Sequence, residues 1–193
     1  MCIRDRGNTT PQKVDINFAI ASTQIIGKVE PVFGDKYISI CNSKQQLKYL
    51  LVAYVRYLAM LAQGKEIELV FISKYIDGFQ RIPAGNITQQ EAIDTMSQFL
   101  EYYKNGHQEY FHFFPAIGKN EMEMISDDFD TFLDIYEDAK EKELDFTFED
   151  DYLNKAVEHG FFSERAYLEI QKNVKAIFEP INKHLPLVFK KIK

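Results

Sequence analysis

The sequence predicts an α/β (α+β) fold, with a mixed central sheet flanked by helices and a helical C-terminal third. Three features lead to this prediction. Near the N-terminus, apolar and polar residues alternate as they do in half-buried strands. A strongly apolar segment with helical spacing, 47–61, then separates these strands from a continuous apolar strand, 66–73. Beyond Pro115 the apolar residues recur mainly at helical spacing.

The strands are predicted as follows. The first part of 14–26 alternates and is rich in β-branched residues, which predicts one strand that ends at Gly27. Turn residues follow, and 36–41 alternates again, so a second strand should pair antiparallel with the first. The strand 66–73 leads to Asp-Gly at 77–78, a dipeptide typical of two-residue hairpins.

Two capping boxes predict where the central helices begin. The box at 43–46 starts a helix that should end at Gly64, and the box at 88–91 starts a second helix with Tyr103 on its inward face and its exit at 105–106. This helix should lead into a short strand, EYFHFF.

The C-terminal third is predicted to be helical. Ser126 should cap a helix with an acidic first turn, and 150–159 should form a shorter helix. Ser163 should begin the last helix, which Pro180 is expected to stop or kink.

Composition favours a single cytoplasmic domain. The chain has 193 residues and is 46% hydrophobic, enough for a substantial core. Its longest apolar run, 47–62, is interrupted by Lys48 and Arg56 and is too short to cross a bilayer. Cys2 and Cys41 cannot form a disulfide framework, which suits a reducing compartment.

Acidic residues are concentrated in one region. The net charge is −6, but residues 121–151 carry 14 acids against two lysines, so the remainder is net positive. This region continues a helical apolar period and lacks the glycine of a calcium loop, which favours a solvated helix face. Asp127, Asp128, Asp130 and Asp134 therefore form a candidate docking face for a basic partner.

Candidate catalytic groups are few. Asp15 and Glu30 are the carboxylates available for metal-dependent cleavage, but their spacing is unspecific and surface charges are the simpler interpretation. The four histidines lie in different elements without ligand spacing. Cys41, beside apolar strand residues, is typical of a small buried hydrophobe. No glycine-rich phosphate loop is present, and the sequence predicts neither a metal nor another cofactor.

The run from Gly27 to Gly118, with the closing SERAYLEIQKNVKAIFEPINKHL, resembles the C-terminal domain of the exodeoxyribonuclease V gamma subunit, the RecC subunit of the RecBCD helicase-nuclease. The resemblance lies in the order of GKVEPV, LKYLLVAYVRYLAMLA, DGFQRIP, ITQQEAIDTMSQFLEYYKNG and YFHFFP. It implies a degenerate PD-(D/E)xK nuclease-like domain. Where a working relative would carry an aspartate and then acid-x-lysine, this chain has VEP at 29–31 and ICN at 40–42. Glu30, Asn42 and Lys44 are therefore the degenerate nuclease-site positions.

The first six residues, MCIRDR, have neither the apolar core of a signal peptide nor strand periodicity. They resemble a translated adapter of the kind left on environmental DNA reads. We therefore expect residues 1–6 to be an artefact. Residues 7–193 are expected to form one RecC C-terminal-like domain, a fragment of a longer subunit.

The resemblance implies a function without chemistry of its own. We expect a non-catalytic structural and DNA-guiding module of an ATP-dependent helicase-nuclease complex that processes double-strand breaks for recombinational repair. The implied partners are RecB-like and RecD-like subunits and DNA within the complex, with no membrane. Two alternatives stay open: a divergent, active Mg²⁺-dependent PD-(D/E)xK nuclease that uses Asp15 and Glu30, and an acidic protein-interaction adaptor unrelated to DNA.

Overall fold

A five-stranded mixed sheet forms the centre of the computed structural model. The structure describes residues 10–42, 46–74, 79–108, 113, 118–120, 123–124, 128–142 and 151–185. The strands lie in chain order: β1 (Gln12–Ile20), β2 (Thr23–Phe33), β3 (Lys36–Cys41), β4 (Glu68–Ser73) and β5 (Phe79–Ile82). All neighbouring pairs are antiparallel except β3 and β4, which are parallel.

The parallel pair requires a crossover connection, and the apolar helix α1 (Gln46–Ala62) supplies it. Leu50, Leu58 and Met60 of this helix are fully buried, as are Leu69 and Phe71 on β4. The helix therefore covers one face of the sheet, which explains why its sequence leaves so little polar surface.

Four more helices lie in the described ranges: α2 (Gln89–Gln108), α3 (Phe129–Lys142), α4 (Asp151–Glu158) and α5 (Glu164–His184). A small antiparallel pair, β6 (Gly118–Asn120) and β7 (Glu123–Met124), lies between α2 and α3 in the chain. Buried side chains from the sheet and from α1, α2, α3 and α5 belong to one continuous hydrophobic cluster. The mixed α/β class predicted from the sequence is thus confirmed.

Aromatic rings join the C-terminal helices to one another. Phe132 on α3 stacks on Tyr167 of α5 with ring centroids 4.7 Å apart, and Phe162 lies 5.6 Å from Phe132. The Tyr136 hydroxyl donates a hydrogen bond to Asn154 on α4 at 2.5 Å. These contacts hold α3 and the eight-residue helix α4 against the longer helix α5, and a helix as short as α4 has little stability in isolation.

The predicted single strand over 14–26 is wrong. The chain reverses after Ile20, and Ala21 adopts a positive φ of 51° in the turn between β1 and β2. Alanine favours neither turns nor a positive φ, so the residue at this position does not predict the reversal. Gly27, expected to end the strand, instead lies within β2 opposite Ile16.

The predicted exit of α2 is wrong, because the helix continues through 105–106 to Gln108. Of the two outcomes predicted at Pro180, a stop is excluded, because α5 passes through the proline to His184. Buried residues on both sides of the proline, Phe178 and Ile181, hold α5 against the core, so tertiary packing outweighs the local cost of proline.

Helix caps are partly as predicted. The Thr88–Glu91 capping box is confirmed, since Thr88 N–H donates to Glu91 Oε2 at 2.9 Å and Glu91 N–H donates to Thr88 Oγ1 at 3.2 Å. Ser163 caps α5 as expected. At the start of α3, Asp128 Oδ2 accepts a hydrogen bond from Thr131 N–H at 2.8 Å, so Asp128 is the N-cap. The predicted cap, Ser126, lies outside the described residues.

Three other predictions fall outside the described residues, wholly or largely: Ser43 of the first capping box, the turn at 77–78, and the strand EYFHFF apart from Phe113. Within the described part of the chain, each helix is too short or too polar to span a membrane.

Candidate functional site

The two candidate carboxylates lie on the exposed side of the β1–β2 hairpin. Asp15 pairs in register with Lys28, and the Lys28 ammonium is 3.7 Å from its carboxylate. Glu30 contacts the Lys13 ammonium at 2.8 Å, and its charge and hydrogen bond raise the pKa of that lysine. The side chains of Asp15 and Glu30 are 79% and 53% exposed, so each ion pair is a weak, solvated contact.

The hairpin itself is anchored to the end of α1. The side chain of Gln63 accepts a hydrogen bond from Asn17 N–H at 2.5 Å and donates to the Asp15 carbonyl at 3.0 Å. This contact fixes the backbone of β1. It leaves both carboxylates on the outer surface, each beside an exposed lysine.

Two of the degenerate nuclease-site positions lie on or next to neighbouring strands. Glu30 is part of β2, and Asn42 follows the last residue of β3 and is exposed. Lys44 lies outside the described residues. Cys41 is buried, at 2% exposure, which agrees with its interpretation as a core residue. Among the described residues, no three histidine, cysteine or acidic side chains are grouped as metal ligands would be.

The acidic face is presented by α3. Asp130 and Asp134 are exposed, while Phe132 and Tyr136 point inward and are buried. Asp128 is exposed too, and the hydrogen bonds that it accepts from Thr131 lower its pKa. Its helix-capping role fixes its position at the N-terminal end of this face. Asp127 lies outside the described residues.

A polar groove of about 320 Å³ lies between the start of α2 and the end of α5. Glu91 contacts the Lys183 ammonium at 3.5 Å across it, and hydrogen bonds from Thr88, chiefly from its backbone N–H, lower the pKa of Glu91. His184 lies 3.5 Å from the Asn86 side chain, and partial burial lowers its pKa. These contacts join two helices, so their evident role is structural.

An apolar pocket of about 390 Å³ lies between α1, α2 and α5. The sequence placed Tyr103 on the inward face of α2, but its side chain is 65% exposed and lies at this pocket. The ring of His107, one turn later, contacts it edge-on with centroids 4.4 Å apart. The sequence signal that was missed is an aromatic residue followed by histidine four positions later, next to the helix exit.

The described fold and surfaces define a class: a mixed α/β domain with solvated, lysine-paired carboxylates and an acidic helix face. The family model of the RecC C-terminal domain matches residues 3–125, well over half of the chain. The chain belongs to the RecC C-terminal domain family, as the resemblance indicated. RecC is a subunit of the RecBCD complex, which acts in DNA repair and recombination. Membership of this family therefore implies that the chain is part of that complex. A search of curated proteins gives no match to the chain.

Proposed function

We propose that this chain is a non-catalytic structural and DNA-guiding module of an ATP-dependent helicase-nuclease complex that processes double-strand breaks for recombinational repair. The observation that carries the proposal is the family match over residues 3–125. Its direct partners in this proposal are RecB-like and RecD-like subunits and the DNA held within their complex. A cytoplasmic location follows from the same proposal.

The fold in this proposal is a degenerate PD-(D/E)xK nuclease-like domain, with residues 7–193 forming one unit. The hairpin of β2 and β3, followed by α1 and the parallel strand β4, supports it, because this is the strand pair and helix on which the resemblance depends. The continuous hydrophobic cluster that joins sheet and helices supports a single unit.

The loss of chemistry is proposed at Glu30, Asn42 and Lys44. Hard cations are held by several oxygen ligands grouped together, and among the described residues Glu30 belongs to no group of three or more possible metal-ligand side chains. At position 42 a neutral amide stands where the resemblance calls for the acid-x-lysine motif. Each of these features weakens metal binding at the positions where a working relative would cleave DNA.

Partner docking is proposed for the acidic face of α3, which comprises the exposed Asp128, Asp130 and Asp134 together with Asp127, which lies outside the described residues. Exposed like charges attract a complementary basic surface and speed its association. The same charges repel a phosphate backbone. A protein partner therefore fits this face better than DNA does.

Co-purification tests the docking proposal. The chain is co-expressed with RecB-like and RecD-like subunits, and Asp130→Lys/Asp134→Lys is compared with a control of equal charge change, Glu66→Lys/Glu101→Lys. Both control positions are exposed and lie away from α3: Glu66 is in the loop before β4, and Glu101 is on α2. Loss of association confined to the α3 variant supports docking through this face. Equal recovery of both variants contradicts it.

The nuclease alternative predicts stoichiometric Mg²⁺ binding that is lost in Glu30→Ala, which calorimetry measures. The adaptor alternative predicts stable association with a protein that has no role in DNA processing. We favour the complex module over both, because the family match supports a DNA-repair assembly and, among the described residues, Asp15 and Glu30 belong to no group of three or more possible metal ligands.

A further inference from the structure

We draw no further inference here: the strongest candidate, the apolar row of Ile40, Ile72 and Phe79 across β3, β4 and β5 on the sheet face opposite the hydrophobic cluster, carries nothing because nothing in the described part of the structure shows what covers it.

Discussion

Two buried tyrosines one turn apart on α1 should respond oppositely to loss of their hydroxyl groups. The Tyr54 hydroxyl donates a hydrogen bond to the Pro180 carbonyl of α5 at 3.1 Å. The Tyr57 side chain is fully buried, and its hydroxyl has no hydrogen-bond partner in the described part of the structure. Phenylalanine at each position removes one oxygen atom and preserves the ring.

The magnitudes follow from these contacts. Tyr54→Phe loses one intramolecular hydrogen bond, which lowers the free energy of unfolding by about 1 kcal/mol. Tyr57→Phe removes a desolvated hydroxyl that gains nothing in return. The free energy of unfolding should then be unchanged or raised by up to about 1 kcal/mol, since an unsatisfied buried group carries a penalty of about 1 to 3 kcal/mol.

The pH dependence extends this comparison. Burial, with a contribution from the charge of Glu68, raises the pKa of Tyr57 to about 12. Because this folded-state pKa exceeds the unfolded value of about 10, the hydroxyl ionises more readily in the unfolded chain. Its titration therefore leaves the free energy of unfolding unchanged below about pH 10 and lowers it as the pH rises through about 12. Tyr57→Phe should therefore lose less stability than the wild type over that window.

Urea unfolding followed by circular dichroism at pH 7 measures both variants. The two free energies of unfolding should differ by about 1 kcal/mol or more, with Tyr57→Phe the more stable. Equal losses in the two variants, or a larger loss in Tyr57→Phe, would refute the assignment of a paired hydroxyl to Tyr54 and an unpaired one to Tyr57.

Three further predictions concern the helices. Phe132→Ala should lower the free energy of unfolding by about 3 to 5 kcal/mol, whereas Ile135→Ala, at a partly exposed position on the same helix, should lower it by under about 1 kcal/mol. Urea titration measures both variants. Similar losses would contradict the stabilising role of the aromatic cluster around Phe132. Ser163→Ala should cost about 1 kcal/mol by removing the cap of α5, and an unchanged urea midpoint would argue against that cap. Hydrogen bonds from Thr88 lower the pKa of Glu91, so the stability that the Glu91 carboxylate contributes is present above its unfolded-state pKa and is lost as the pH falls through its folded-state pKa. Glu91→Gln should therefore flatten the acid side of a plot of melting temperature against pH. A plot as steep as that of the wild type would count against this role of Glu91.

The sequence predicted those parts of the fold that depend on strong local patterns. Apolar periodicity located α1 and α5, and the Thr88–Glu91 box marked the start of α2 to the residue. The β1–β2 reversal was missed because Ala21 adopts its positive φ without any residue that favours it. Helix α5 continues through Pro180 because neighbouring residues are buried against the core, and rules based on local sequence do not include such tertiary contacts.

The candidate sites show the same limit. The sequence named Asp15 and Glu30, but their lysine partners become visible only once the register of β1 and β2 is known. Tyr103 fitted the apolar period of α2, and only the packing of α1, α2 and α5 leaves it exposed at a pocket. Periodicity gives a direction around a helix axis, whereas exposure depends on where the neighbouring helices end.

The most direct test of the central claim is a metal-dependent cleavage assay on linear double- and single-stranded DNA. It compares the wild-type chain with Glu30→Ala, each alone and within the complex with RecB-like and RecD-like subunits. A module without chemistry of its own predicts no cleavage by the isolated chain and equal cleavage by the two complexes. Mg²⁺-dependent cleavage by the isolated wild-type chain that disappears in Glu30→Ala would contradict the claim and make the chain a nuclease.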